Sequence, residues 1–381
     1  MNLDLATLER VARGGTTVAL GAEERARMDT ARGVVERAIA EGRVVYGVTT
    51  GFGQLSDVRI PADQAAQLQL NLLRSHAVGI GEPLDEEVVR GMLLALAASL
   101  SRGRSGARTE VVELLLALLE RGVTPVVPSR GSVGSSGDLA PLAHVGLVLV
   151  GEGEATVDGR RVPGADALAQ AGLRPLALAA KEGLAIVNGT HLMSAVGALA
   201  VRDARRLLGA ATVAVALSLE AFKGSTVPFH ERLHSVRPHP GQQRVAARLR
   251  ELLDDSPIVA SHADCGRVQD PYTLRCAPQV LGAVQDAVEY VAQAIERELA
   301  AVTDNPLVFP DDDEILSGGN FHGQPVSLPL DHLALALTEL AAFSERRTYA
   351  LLSPSYAGLP PFLTPHPGLS SGLMIAQYAA A

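Results

Sequence analysis

Residues 131–144 read GSVGSSGDLAPLAH, with Ser135-Ser136-Gly137 at their centre. A Ser-Gly pair held in a Gly-rich bend permits unusual backbone chemistry. The amide nitrogen of Gly137 can attack the carbonyl carbon of Ser135. Loss of that oxygen as water closes a five-membered ring. Loss of the Ser136 hydroxyl as a second water leaves an exocyclic methylene. The product is an electrophile, which ordinary side chains do not provide. Glycine at 137 lets a bare amide approach the carbonyl, and serine at 136 carries the leaving hydroxyl. By itself a Ser-Ser-Gly triplet reads first as a plain turn, because both residue types favour turns. The flanking residues must decide between the two.

Other groups along the chain invite chemistry and also have plainer readings. Tyr46 stands in YGVTTGFG, where Gly47, Gly51 and Gly53 mark a loop rather than a helix interior. His76 follows Ser75 in NLLRSHAVGIG, and a lone histidine is most often structural. Asn188 precedes a helical pattern, where a buried Asn is most often an N-cap. Gln269, Tyr272 and Arg275 are spaced i, i+3, i+6, which puts them on roughly one side of a helical turn or two. An arginine there suits bidentate capture of a carboxylate; the plain alternative is a solvated face. Phe321 and His322 lie in SGGNFHGQPV. No metal site is expected, and Asp311-Asp312-Asp313 reads as a solvated turn.

Long helices must position these groups. The apolar fraction of 47 % supports a sizeable core, but aromatics make up 3 % and tryptophan is absent. Such a core is built of Leu, Ala and Val, which suits closely packed helices. Helical patterns run over Leu5 to Arg13, Glu23 to Glu41, and about 62–77, 85–102 and 108–122. A second Gly-rich loop, 129–138, feeds a helix over PLAHVGLVLV. Residues 189–222 are apolar on nearly every face, the mark of a buried helix. Val280, Leu281, Val284, Ala287, Val288, Val291, Ala294, Ile295 and Leu299 keep i, i+3, i+4 spacing, and 329–352 gives another long helix. Asp158-Gly159 in EATVDGRRVP is the one clear hairpin signal. The fold expected is mainly α, a long antiparallel helix bundle with one small β-hairpin. Its N-terminal part, 1–190, carries both Gly-rich loops, and 191–381 forms the long-helix part.

A net charge of −9 without a basic stripe argues against nucleic acid as a partner. No unbroken apolar run reaches the roughly 18 residues of a membrane span. The start, MNLDLATLERVARGG, shows no basic segment followed by an apolar one, so no secretory leader is expected. Two cysteines, Cys265 and Cys276, give no disulfide framework, and a reduced, cytoplasmic protein is the expectation.

The run GSVGxSGDLAPLAH resembles the signature of the aromatic amino-acid ammonia-lyases and aminomutases, most closely that of the histidine-specific members. Further blocks resemble the same family in the same order: YGVTTGFG, NLLRSHAVGIG, KEGLAIVNGTH, DCGRVQDPYTLRCAPQ and SGGNFHGQPV. The resemblance implies that Ser135-Ser136-Gly137 becomes 4-methylideneimidazole-5-one, with no external cofactor. Ser135 replaces the usual Ala, but its side chain lies outside the ring. Tyr46 falls on the residue that takes the β-proton; a phenol in water titrates near about 10, so this role calls for partial burial or a nearby positive charge. Thr49 replaces the Asn usual in that loop.

The resemblance further implies that Ser75-His76 selects an imidazole substrate over a phenyl ring. It implies that Asn188 orders the prosthetic group and the substrate's amine or carboxylate, and that Arg275 clamps the carboxylate beside Gln269 and the catalytic Tyr272. Phe321 stacks near the substrate ring. His191 stands where histidine lyases commonly have Gln. The implied activity is deamination of L-histidine to urocanate and ammonia by a homotetramer whose sites are shared between chains. Family members run on for over a hundred residues past Ala381, so their C-terminal region is expected to be absent here. The alternatives are a tyrosine or phenylalanine lyase or aminomutase with the same group, and a catalytically silent helical assembly protein. A hydrolase using Ser136 fits less well, because GSSGD is not G-x-S-x-G.

Overall fold

The computed structural model describes the chain except Thr16, Thr17 and Cys265, and describes no side chain at Tyr356 or Ala357. The chain forms two compact units, Met1–Ala200 with Gln293–Leu328 and Val201–Ala292 with Pro329–Ala381. The division at residue 190 expected from the sequence therefore puts 293–328 with the second part, whereas this segment packs with the first. Of the two cysteines, Cys276 is a free, half-buried thiol, and Cys265 lies outside the described residues.

The first unit begins with helices α1 (Leu5–Ala12), α2 (Ala22–Ala40), α3 (Ala65–His76), α4 (Glu86–Leu100), α5 (Thr109–Arg121) and α6 (Leu139–Leu149). It continues with α7 (Gly164–Gln170), α8 (Glu182–Val187) and the start of α9 (His191–Ala221). Helix α4 is buried over nearly all of its last three turns, from Gly91 to Leu100. Burying each Leu of this kind contributes roughly 1.5–3 kcal/mol. The four helices α2 to α5 begin and end within a few residues of their sequence patterns.

Three small antiparallel sheets accompany the helices, so the single expected hairpin is joined by further strands. Strand β1 (Ile80–Pro83) pairs with β3 (Pro128–Arg130), Ile80 opposite Arg130. Strands β2 (Thr124–Pro125), β4 (Glu154–Val157) and β5 (Arg160–Pro163) form the second sheet, in the order β2-β4-β5. Its β4–β5 turn is the expected one: Asp158 and Gly159 have φ of 49° and 72°, the paired positive values of a type I′ turn. Strands β6 (Leu307–Phe309) and β7 (Glu314–Leu316) make a second hairpin. Asp311-Asp312-Asp313 lies in its turn, where Asp313 takes ion pairs from Arg37 and Arg43.

The second unit holds the rest of α9, then α10 (Glu231–Ser235), α11 (Pro240–Leu252), α12 (Pro257–Ala260) and α13 (Tyr272–Arg275). It also holds most of α14 (Ala277–Leu299) and of α15 (Gln324–Leu352), with α16 (Pro354–Ala357) and α17 (Met374–Ala380). The apolar stripe read along α14 is the buried one: Leu281, Val284, Val288, Val291, Ile295 and Leu299 are all inside. Helices α11 and α14 approach to backbone contact, since a Cβ at Gly241 would lie 2.1 Å from the Gly282 carbonyl oxygen.

Two helical stretches have the length and hydropathy of a membrane span, Glu182–Ala221 and Gln324–Leu352. Charged residues interrupt both, so neither holds an unbroken apolar run of that length. The first is a core stretch, with 78 % of its most apolar window buried, whereas the second has 22 % buried.

Candidate active site

The Ser135-Ser136-Gly137 segment forms a tight bend fixed from several sides. Residues 134 and 135 both make bridge contacts with Gly137, so the bend folds residue 137 back onto residue 135. Gly137 has φ +68°, and a Cβ there would lie 2.3 Å from the carbonyl oxygen of Gly189. Only glycine meets both conditions. The Gly134 carbonyl accepts from the Gly323 N–H at 2.7 Å, and the Asp138 N–H donates to the Gly189 carbonyl at 2.8 Å. Ser132 Oγ donates to Asp138 Oδ1 at 2.8 Å.

Asp138 precedes α6 yet does not cap it with its side chain. Its Oδ2 accepts from the N–H groups of Leu192 and Met193 at 2.9 and 3.1 Å, which satisfies free donors in the first turn of α9. Burial raises the Asp138 pKa from 3.8 to about 6, against the lowering effect of the Met193, Ser132 and Leu192 hydrogen bonds. One carboxylate thus ties the Gly-rich bend to the start of the longest helix.

Beside the bend lies a cavity of about 400 Å³. Tyr46, His76, Ser136, Asn188 and Phe321 all line it. Five residues drawn from across 46–321 therefore meet at one place. Tyr46 comes from the first Gly-rich loop, and its phenol oxygen accepts from the Gly53 N–H at 3.1 Å. Such a donor is what a phenolate needs. The ring also meets Phe52 edge-on at 6.4 Å. Thr49, in place of the usual Asn, staples this loop: its Oγ1 accepts from the Val45 N–H at 2.8 Å and donates to the Arg43 carbonyl at 2.7 Å.

His76 ends α3. Its Nδ1 lies 3.0 Å from the Leu72 carbonyl oxygen. Nδ1 also lies 3.0 Å from Ser75 Oγ; a carbonyl can only accept, so a hydrogen on Nδ1 serves the Leu72 contact and leaves Nε2 as the free ring nitrogen. Asn188 is buried and is not an N-cap, contrary to the sequence expectation. It terminates α8, and its Nδ2 donates to the Asn305 carbonyl at 2.8 Å and to Asp304 Oδ1 at 3.3 Å. Segment 303–305 competes for the amide that the following helix leaves unused.

Gln269, Tyr272 and Arg275 belong to the second unit. Gln269 and Arg275 line a separate cavity of about 680 Å³. Tyr272 is 68 % exposed, and the Arg275 guanidinium lies over its ring at 4.3 Å. Arg275 has no acidic partner among the described residues, and its buried Nε has no hydrogen-bond partner there. A guanidinium in this state is ready for an anionic group.

Two histidine positions need separate comment. His191, the departure from Gln, is buried with both ring nitrogens unpartnered. Burial lowers its pKa to about 3, so the ring is neutral. The expectation of no metal site overlooks one pattern: His230-Glu231-Arg232-Leu233-His234 has the H-E-x-x-H spacing of many zinc sites. Its nitrogens are engaged otherwise. His230 Nδ1 accepts from the Arg232 N–H at 3.2 Å. His234 is held between the Pro228 carbonyl and Gln242 Nε2, each at 3.0 Å. Among the described residues no three His, Cys, Asp or Glu side chains are grouped to hold a metal.

The chain belongs to the family described as aromatic amino acid lyase, whose sequence model matches residues 3–381. The histidine ammonia-lyase of Symbiobacterium thermophilum is 54 % identical over 380 residues, spanning 100 % of this chain and 75 % of that protein. The phenylalanine aminomutase of Pantoea agglomerans superposes with a TM-score of 0.95 at 35 % identity, over 100 % of this chain and 77 % of that one. The histidine ammonia-lyase of Trypanosoma cruzi gives 0.90 at 41 % identity, over 99 % and 71 %.

Proposed function

We propose that this chain is a histidine ammonia-lyase, which converts L-histidine to urocanate and ammonia without a redox step. The observation that carries the reading is the cavity of the first unit, where His76 and Ser136 stand together with Tyr46 and Asn188. The high identity to histidine ammonia-lyases along the whole chain supports the same substrate.

The residues present fit the prosthetic group that the triplet would form. The bend returns Gly137 to Ser135, glycine is obligatory at 137, and Ser136 reaches the cavity. Once formed, 4-methylideneimidazole-5-one supplies an electrophile at residue 136. The chain's own residues do the rest. His76 offers Nε2 to an N–H of the substrate ring. Phe321 contributes an apolar wall for that ring. Tyr46 Oη receives the proton from Cβ as the Cα–N bond breaks, and the double bond forms between Cα and Cβ. Arg275 pairs with the α-carboxylate, with Gln269 and Tyr272 beside it.

The reading includes assembly into a homotetramer in which chains share sites, as the family resemblance implies. Leu207, Val213, Leu217 and Leu335 on the long helices α9 and α15 are all more than 40 % exposed in the single chain, the surface that such an assembly would cover. The test is direct incubation with L-histidine, followed by the near-ultraviolet absorbance of the conjugated product and by ammonia release. Equal amounts of both are expected; ammonia without the conjugated acid, or neither, contradicts the reading. A second reading, a tyrosine or phenylalanine aminomutase, is favoured by the likeness to the Pantoea agglomerans enzyme and by His191 at the Gln position. A β-amino acid product would select it.

A further inference from the structure

Lys181 and Asp304 form a buried ion pair that the proposed chemistry does not use. Lys181 is fully buried, Asp304 is 2 % exposed, and Nζ lies 2.5 Å from Oδ2. The Lys181 backbone is left-handed, with φ 77°, a conformation that disfavours a non-glycine residue. Burial pushes the Lys181 ammonium down in pKa while Asp304 pushes it back up. A pair of this kind seldom adds net stability over an apolar substitute.

Its connections say what it holds. Asp304 Oδ2 takes the Lys181 ammonium, and Oδ1 takes the Asn305 N–H at 2.6 Å and Asn188 Nδ2 at 3.3 Å. The other Asn188 Nδ2 hydrogen goes to the Asn305 carbonyl at 2.8 Å. Asn305 is fixed in turn, its Oδ1 accepting from the Gly318 N–H at 2.7 Å. Both groups that face Asn188 Nδ2 are acceptors only, so the amide cannot be turned round. Nδ2 has used both of its hydrogens. Asn188 Oδ1 has no partner among the described residues, and Asn188 lines the cavity.

We infer that the Lys181–Asp304 pair is a positioning element that presents Asn188 to the cavity as a hydrogen-bond acceptor, so the substrate group it meets is the α-ammonium and not the carboxylate. The identity of the ligand rests on the deamination reading; the polarity rests on the network alone.

The experiment compares two imidazole ligands on the assembled enzyme. One carries an ethylammonium arm and no carboxylate (histamine); the other carries a propanoate arm and no amine. Lys181→Met keeps chain length and removes the charge. Loss of one hydrogen bond to a charged group corresponds to about 10-fold or more in affinity. Lys181→Met is expected to weaken the ammonium ligand by that factor and to leave the propanoate ligand within about twofold. Equal weakening of both, or of neither, overturns the inference. If Lys181→Met fails to fold, Asp304→Asn provides the same comparison. A second readout needs no ligand: the effect of Lys181→Met on the unfolding midpoint, measured with Asn188 and with Asn188→Ala. Lys181 makes no direct hydrogen bond to Asn188, so a smaller effect in the Asn188→Ala background supports the network, and strict additivity refutes it. Should the unaltered enzyme bind neither imidazole while the two sites remain coupled, the histidine reading fails and the acceptor polarity of Asn188 stands.

Discussion

Replacing His76 with leucine separates selectivity from general binding. With the Nδ1 hydrogen directed at the Leu72 carbonyl, Nε2 meets a substrate imidazole as an acceptor and needs an N–H in return. A phenyl or phenol ring in that place leaves Nε2 without a partner. His76→Leu removes one neutral hydrogen bond and leaves the substrate N–H unpaired, a loss of roughly 1–3 kcal/mol, or about 5- to 150-fold in kcat/KM for histidine. Leucine suits an apolar ring, so turnover of phenylalanine or tyrosine should fall less, or rise from a low base. Arg275→Ala provides the contrast, because every amino acid carries the carboxylate it would hold; all substrates should fall alike. The assay is steady-state kcat/KM for histidine, tyrosine and phenylalanine on the three proteins. If both variants lower histidine and tyrosine in the same proportion, His76 does not select the ring, and the tautomer argument is wrong.

Further outcomes follow from the same geometry. Ser136→Ala should abolish turnover and leave the unfolding midpoint nearly unchanged, since Ser136 Oγ holds no hydrogen bond among the described residues; normal turnover in that variant contradicts the electrophile. Asp138 has a folded pKa of about 6, raised by burial from 3.8, so the folded chain keeps a proton that the unfolded chain has lost. Its contribution to stability is full below about pH 4 and is lost as pH rises to about 6, an effect of roughly 3 kcal/mol. Denaturant midpoints of Asp138→Asn should decline less across that window, and an unaltered decline would count against it. Light scattering should give a mass of several chains, most simply four; a monomer that still deaminates histidine rules out shared sites.

Much of the fold and of the site was legible in the sequence, for physical reasons that differ by element. Helices α5 and α14 carry a clean apolar period, and local pattern sufficed to find them. The Asp158-Gly159 turn was legible because a type I′ turn demands positive φ at two successive residues. Pairing of β1 with β3 joins residues far apart in sequence through short, exposed strands without alternation, so no local signal exists. The plain N-cap reading of Asn188 fails because its partners, Asp304 and Asn305, lie more than a hundred residues onward, while its place in the cavity accords with the binding role the resemblance implies. Lys181 was passed over for the same reason, since a buried lysine looks like any other in sequence. The His230 to His234 spacing is the opposite case, a pattern visible in sequence that the structure gives to other hydrogen bonds. Tyr272 and Arg275 were read as facing one way, and their stacked contact agrees. Which other chain's residues they would serve is not written in any local pattern.

Every catalytic role proposed for the cavity requires that Ser135-Ser136-Gly137 cyclises. The most direct measurement is the intact mass of the purified chain, backed by the mass of the peptide that spans 131–144. The purified chain should be lighter than its sequence by two water molecules, with the whole deficit in that peptide and an accompanying near-ultraviolet absorbance. A chain of full sequence mass that nevertheless deaminates histidine would contradict that requirement.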